Sequence, residues 1–416
     1  MPKKVIFFGL IFFFALSNLS SFGNEEIQSA LDVDVKGIFS IKGGRYMRDS
    51  SKSSREFAEV RIQPVLIVSY DQSLTAKVVA DARINSEDFY SGGIDDWTES
   101  NHGWAVNIKE AWFDYWPGGT TSFRFGKQIF SWSVMDTVCP MDVLNARDWT
   151  FIPDWEKVGI PAANFRLDKT AWFAEVVLIP TFTPSKLPKG RWEEDLPVGL
   201  TDFNKDWNED QVQVALRIGG HWEGFDLMAM VYKGVSYNPY GRIVGSTLEL
   251  DYSELEVYAG SIVKELPGGI IGKTEFGYYQ QEHGDDFFQA VVGARKEFYD
   301  VFHDTDRLSV LVQYSDEKVI SEDRSVVPVT DFRRDLNKAV LSRISYNFGE
   351  NSPWKAEIEG TANLDGGDYY VRPKVVYEKD NWEVEAGYQK VGGPRDSFWG
   401  KYEKVDSVFL GVKIHF

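Results

Sequence analysis

The chain has 416 residues, a formal charge of −18, 43% hydrophobic and 15% aromatic residues, 36 glycines and one cysteine. That acidity excludes nucleic-acid binding through a general positive field, and the lone Cys139 excludes an internal disulfide. A mean hydropathy of −0.30 describes a chain that is polar on average yet rich in Trp, Tyr and Phe, as a barrel with one apolar and one wet face would be.

The first segment has the order of a secretory signal: Lys3 and Lys4, an apolar run from Val5 to Leu16, then small and polar residues ending at Ser21-Phe22-Gly23. We read 1–23 as a signal peptide and 24–416 as one domain. Loss of Lys3 and Lys4 would carry the formal charge from −18 to about −20. The apolar run is too short for a helix to cross ~30 Å of hydrocarbon, and no later run approaches the ~18 residues needed. Any membrane span must then be made of strands closed into a barrel.

Period-two alternation, the mark of a half-buried strand, recurs along the rest of the chain. Leu74, Ala76, Val78, Ala80, Ala82 and Ile84 alternate with Thr75, Lys77, Asp81 and Arg83, and Val212, Val214, Leu216 and Ile218 with Gln211, Gln213 and Arg217. The pattern predicts strands at 31–41, 57–70, 73–84, 105–116, 121–130, 160–168, 171–180, 211–219, 224–234, 253–264, 270–281, 288–299, 306–316, 337–348, 353–364, 369–379, 382–391 and 404–416. The fold class expected is all-β, a transmembrane antiparallel barrel of about 18 strands, with 16 the alternative count.

Connections alternate in length. Short turns fall at Asp71-Gln72, Pro117-Gly118-Gly119, Asp168-Lys169-Thr170, Pro267-Gly268-Gly269 and Asp380-Asn381, and long gaps at 85–104, 131–159, 181–210 and 317–336. Short periplasmic turns and long extracellular loops are the outer-membrane arrangement. The last strand places Val408, Leu410, Val412, Ile414 and Phe416 on one face. This ending resembles the C-terminal signal read by the barrel-assembly machinery of Gram-negative bacteria, with Phe416 as the terminal aromatic.

Lys109-Glu110-Ala111-Trp112-Phe113-Asp114-Tyr115, Phe123-Arg124-Phe125-Gly126-Lys127-Gln128, and the loop from Trp132 through Pro140-Met141-Asp142-Val143-Leu144-Asn145-Ala146-Arg147-Asp148 carry a resemblance. They are similar to outer-membrane porin-like barrels related to alginate-export channels. Lys127 stands where that family usually has Arg, and Ala146 where it has Pro. The resemblance implies passive transport or export across the outer membrane.

With Phe123 and Phe125 turned to lipid, Arg124 and Gln128 face the lumen, and on the neighbouring strand Glu110 and Asp114 do the same. Together with Arg166 they frame segment 131–159, which carries Asp136, Asp142, Arg147, Asp148, Asp154 and Glu156. Folded inward, such a segment would narrow the pore and sort solutes by charge. Trp149 and Trp155 could stack there on a sugar or an aromatic solute. Further lumen charges are expected at Lys77, Arg83, Arg217, Arg295, Arg343, Arg372 and Lys374, and at Asp81, Glu254, Glu256, Glu275, Glu297, Glu357 and Glu359, where alternating signs suit pairing.

Neither a Gly-x-Ser-x-Gly nor a His-Glu-x-x-His pattern occurs, so no enzyme, metal or cofactor is expected. The function predicted is a channel, monomeric or homotrimeric, for passive passage of small hydrophilic solutes. The alternatives are an export conduit for an inner-membrane system and a plugged structural or adhesin barrel. Outer-membrane lipid and the barrel-assembly machinery are the expected partners, and nucleic acid is not.

Overall fold

The computed structural model describes residues 31–51, 53–71, 73–86, 104–188, 190–193, 200–203, 211–244, 247–326 and 332–416. The expected signal peptide lies outside the described residues, as do Trp97, Trp207 and the acidic run Glu87, Asp88, Asp95, Asp96 and Glu99. The described residues form a closed 18-stranded antiparallel sheet, with a small three-stranded sheet (Leu200–Phe203, Tyr240–Val244 and Thr247–Asp251) and a two-stranded ladder in its connections. In chain order the strands are β1 (Leu31–Tyr46), β2 (Glu56–Tyr70), β3 (Leu74–Asn85), β4 (Trp104–Gly118), β5 (Thr121–Gln128), β6 (Ile160–Asp168), β7 (Trp172–Ile179), β8 (Gln213–Trp222) and β9 (Phe225–Val235). There follow β10 (Glu254–Leu266), β11 (Ile270–Gln281), β12 (Asp286–Tyr299), β13 (Arg307–Ser321), β14 (Ala339–Asn347), β15 (Trp354–Asn363), β16 (Asp368–Lys379), β17 (Trp382–Gly392) and β18 (Ser407–His415).

Each strand pairs with its chain neighbours, and β18 closes on β1 in the register Ile38↔His415 to Tyr46↔Ser407. Beyond that ladder Gly37 N donates to the Phe416 carbonyl at 2.7 Å and Phe416 N to Gly37 O at 3.0 Å. The Phe416 ring covers Gly37, where a Cβ would lie 2.6 Å from it. An aromatic over a strand glycine shields the bare backbone and pins the register of the closing seam.

Short turns gather at one end. Between β8 and β9 the two-residue link has Glu223 at φ 49° and Gly224 at φ 79°. Two positive φ values give the turn whose twist matches the strands it joins. The other end carries the long connections. β1 runs past its expected end at 41 to Tyr46, because Gly43-Gly44 interrupts the apolar alternation while the ladder continues to Arg45↔Glu56.

The outer wall exposes large apolar side chains on alternate positions, among them Val33, Val35, Leu74, Phe113, Phe125, Leu178, Leu216, Ile218, Val292, Val312, Ile358 and Leu410. A band of that extent exceeds the apolar patches water-soluble surfaces carry. The buried core lies inside the cylinder, where one cluster joins Trp132, Met141, Val143 and Leu144 to Val257, Tyr279 and Phe287 of the wall. A second joins Val138, Cys139, Trp149 and Ile152 to Leu341, Tyr370, Trp399 and Val405.

Glu254 and Glu256, expected in the lumen, are on the outer side of β10. Leu255, Val257 and Ala259 are the buried positions, while Glu256 pairs outside with Lys233 at 2.5 Å and with the Tyr258 hydroxyl at 3.2 Å. The wall here is apolar on its inner face as well, because segment 129–159 packs on it, so polarity no longer tells inside from outside.

Candidate functional site

β5 ends at Gln128 and β6 begins at Ile160, and the chain between them folds into the barrel. Gly159 makes the return possible, since a Cβ there would overlap the Lys109 carbonyl oxygen on β4. The Asn145 side chain holds the two legs together: its Oδ1 accepts from Phe130 N at 2.7 Å, and its Nδ2 donates to the carbonyls of Gln128 at 3.1 Å and Val158 at 2.8 Å.

The first leg is anchored by apolar packing and a wall carboxylate. Glu275 on β11 is fully buried and accepts from Met141 N at 2.6 Å, Val134 N at 2.9 Å and Ser133 Oγ at 2.8 Å. The Tyr279 hydroxyl donates to Pro140 O at 2.7 Å, and Gln313 Nε2 on β13 to Asp136 Oδ2 at 2.9 Å. Asp142 accepts from Trp132 N at 2.8 Å within the leg and pairs with Lys157 of the second leg at 2.5 Å.

The second leg is held by ions. Arg147–Asp148 pairs as a short ladder with Glu156–Lys157. From it Asp148 meets Arg83 at 3.4 Å and Lys186 at 3.6 Å, Asp154 meets Arg372 at 2.5 Å and Lys42 at 2.7 Å, and Glu156 meets Arg61 at 2.5 Å and also Lys109. Arg61 is shared with Asp81 at 2.7 Å. Burial opposes ionisation of Asp148, but Arg83, Lys186 and Thr150 outweigh it and hold the carboxyl at about 2. For Glu156 burial is likewise outweighed, by Arg61 and Lys109, again to about 2. Cys139 differs: burial, with Asp142 and Glu275 nearby, pushes its thiol up to about 12 and leaves it un-nucleophilic near neutrality.

Three of the larger spaces among the described residues border the segment. One of about 620 Å³ is lined by Asp114, Arg124, Arg166, Glu175 and Arg217 beneath the first leg. Another, about 350 Å³, separates the second leg from β1–β3 and β16–β18 and is lined by Lys42, Arg61, Arg83, Arg372, Lys374, Asp148, Asp154, Glu156 and Glu385 among others. The third, about 230 Å³, lies among Asp136, Arg147, Trp149, Trp155, Tyr370 and Trp399.

The residues singled out in the sequence take different places. Glu110 is paired with Lys77 at 2.7 Å, Asp114 with Arg124 at 2.6 Å, and Arg166 with Asp168 at 2.7 Å. Arg124 also lies over the Trp112 ring, 4.2 Å from its centroid. Asp136, Arg147 and Asp148 border the open spaces. Gln128 does not line a passage: it is 1% exposed and donates to Ala162 O at 2.8 Å beneath the segment. Asp142 is enclosed too, as an internal brace of the first leg. The groups sequence reading passed over are Lys42, Arg61, Lys109 and Gln313, all at inward positions of their strands, where a strict inside/outside tally would have found them. Arg191 had no such signal. Its guanidinium donates to Arg48 O and Lys404 O, each at 2.8 Å, and to Ser53 Oγ and Ser54 O, also at 2.8 Å, which ties three connections together at the long-loop end.

No protein-family model matches the chain, and no curated protein matches it, so the resemblance to alginate-export barrels rests on the quoted residues alone. Solved structures do match in fold. OccAB2 of Acinetobacter baumannii is 10% identical with a TM-score of 0.51, covering 93% of this chain and 98% of its own. OccD3 (OpdP) of Pseudomonas aeruginosa is 10% identical with a TM-score of 0.50, covering 92% and 91%. OccAB3 of Acinetobacter baumannii is 10% identical with a TM-score of 0.50, covering 93% and 99%. At that identity the likeness is one of fold: this chain is a closed 18-stranded antiparallel β-barrel whose lumen is narrowed by residues 129–159.

Proposed function

We propose that the protein is a non-enzymatic outer-membrane channel for small hydrophilic solutes, with segment 129–159 as its constriction. The carrying observation is the convergence of both signs of charge on water-sized spaces inside a barrel whose outer wall is apolar. A charged, narrow passage in a low-dielectric cylinder selects by size and field, and weak binding lets solutes leave. In this reading the long-loop end faces outward and the short turns face the periplasm. Phe416 completes the assembly signal, in keeping with its place on the closing seam.

Single-channel recording of the purified protein in planar bilayers, with reversal potentials in asymmetric salt, tests the reading. Discrete conductance steps support it. The apolar clusters between segment and wall favour a second reading, a plugged structural or adhesin barrel, and no steps in a heat-modifiable, inserted protein, with its inner-membrane system present as well as absent, would establish that one instead. The resemblance over 109–148 adds the direction of flux as a question: an export conduit should conduct only when its inner-membrane system is present.

A further inference from the structure

The 230 Å³ space between segment and wall has a chemistry of its own. At ~30 Å³ per liquid water it holds roughly eight waters, the room of one six-membered ring with its substituents. Two aromatic pairs border it: Trp149 and Trp155 of the segment, ring centroids 5.5 Å apart, and Tyr370 of β16 with Trp399 of the last long loop, stacked at 5.0 Å. The indole N–H groups of Trp149 and Trp399 are already given to Asn238 and to Thr361 Oγ1. What these two rings can still offer is their faces.

Buried polar atoms complete the border. Gln313 is 1% exposed and Arg147 2% exposed, and both line the space. Among the described residues none hydrogen-bonds Gln313 Oε1, Arg147 Nε or Arg147 Nη1. Buried donors and acceptors are nearly always paired; these three are closed to solvent, with the Arg147 guanidinium 4.3 Å from the Trp155 ring centroid, and a turn of either side chain toward the space would pair them with a ligand that both gives and takes hydrogen bonds. The charges there balance: Asp136 and Glu359 stand with Arg343, 3.9 and 3.6 Å away, and with Arg147.

We propose that this space is a binding site for a neutral pyranose ring. The axial C–H faces of such a ring lie flat on indole and phenol faces, while its hydroxyls donate to Gln313 Oε1 and accept from Arg147. A planar aromatic acid would match the rings but bring a further carboxylate to a border where Asp136 and Glu359 already hold Arg343, Lys273 and Arg372. The inference rests on the reading of the lumen as a solute path, and it supplies a solute class for that path.

Titration of the whole detergent-solubilised protein with methyl glucopyranoside, followed by tryptophan fluorescence, tests the site without requiring a current. Saturable binding near ~1 mM is expected, weak enough for release. Trp155→Ala should weaken it about tenfold, and Gln313→Leu, which keeps the shape but removes the acceptor, severalfold. Heat modifiability confirms that each variant is a folded barrel. The proposal is overturned by no saturable change, by equal affinity in Trp155→Ala and the parent, or by tighter binding of glucuronate or benzoate than of the neutral sugar. Sugar binding in a protein that shows no conductance would sink the channel reading and leave the site standing. Conductance without sugar binding would do the reverse.

Discussion

The two legs of segment 129–159 are joined by Asn145 and by the Asp142–Lys157 pair and run through the same lumen, yet they meet the wall in different ways. The leg through Phe130, Trp132, Met141, Val143 and Leu144 packs against Val257, Tyr279 and Phe287 on one side, with the space of about 620 Å³ beneath its start at Ile129–Trp132. The leg from Arg147 to Lys157 touches the wall through Asp148, Asp154 and Glu156, with an open space of about 350 Å³ alongside. Apolar burial is non-directional and does not titrate, whereas paired ions on a wet surface are specific and titratable. In the proposed channel the first leg would serve as an anchor and the second as the adjustable wall of the passage.

The sharpest way to break this division is to remove the anchor. Deleting Val134 to Arg147 should raise single-channel conductance severalfold, because it opens the cross-section the segment fills. Parental conductance in a heat-modifiable deletion protein would mean that the segment does not narrow the path.

A milder insult to the same leg separates packing from charge. Trp132 is 2% exposed and lies under the Arg217 guanidinium, 4.7 Å from its ring centroid. Trp132→Ala should cost about 3–5 kcal/mol through transfer and cavity terms, read as a lower denaturant midpoint in micelles. A loss below about 1 kcal/mol would show that the anchor is looser than its burial suggests.

Acid should act on the second leg through Asp148 and Glu156. Asp148 and Glu156 are held at about 2, against ordinary values of 3.8 and 4.5. Their contribution to docking is thus complete above about 4.5 and lost as pH falls toward 2. Channel noise or conductance should rise in that window. A transition centred near neutrality would implicate groups other than these carboxylates.

The smallest effect is expected beneath the segment. Arg124 faces the 620 Å³ space beside Asp114, and Arg124→Glu should raise cation preference about twofold with little change in conductance. An unchanged reversal potential would place the selective field at the second leg.

Much of the barrel was legible because alternation is a local property. Leu216 and Ile218 face out and Arg217 faces in whatever the rest of the chain does, and Asp380-Asn381 or Gly268-Gly269 ends a strand by its own backbone preference. The same logic failed at Glu254 and Glu256, where the inner wall is as apolar as the outer. It also overran at Gly43-Gly44, which looks like a break but is paired through.

The constriction is a different kind of fact. Asp154 meets Arg372 across 218 positions of sequence, and Met141 meets Glu275 across 134. Neither partnership has a period or a motif, because it exists only after eighteen strands have closed and set their inward faces around one space. The sequence by itself put the strand count at about 18 with 16 as the alternative, and determined the sidedness of most strands and the presence of a long, doubly charged segment after β5. Tertiary structure decided that this segment turns inward, that Gln128 and Asp142 brace it rather than line a path, and that Trp149, Trp155, Tyr370 and Trp399 border one cavity. Alternation is set residue by residue by the pleat, but which side chains meet across a lumen is set by the geometry of closure.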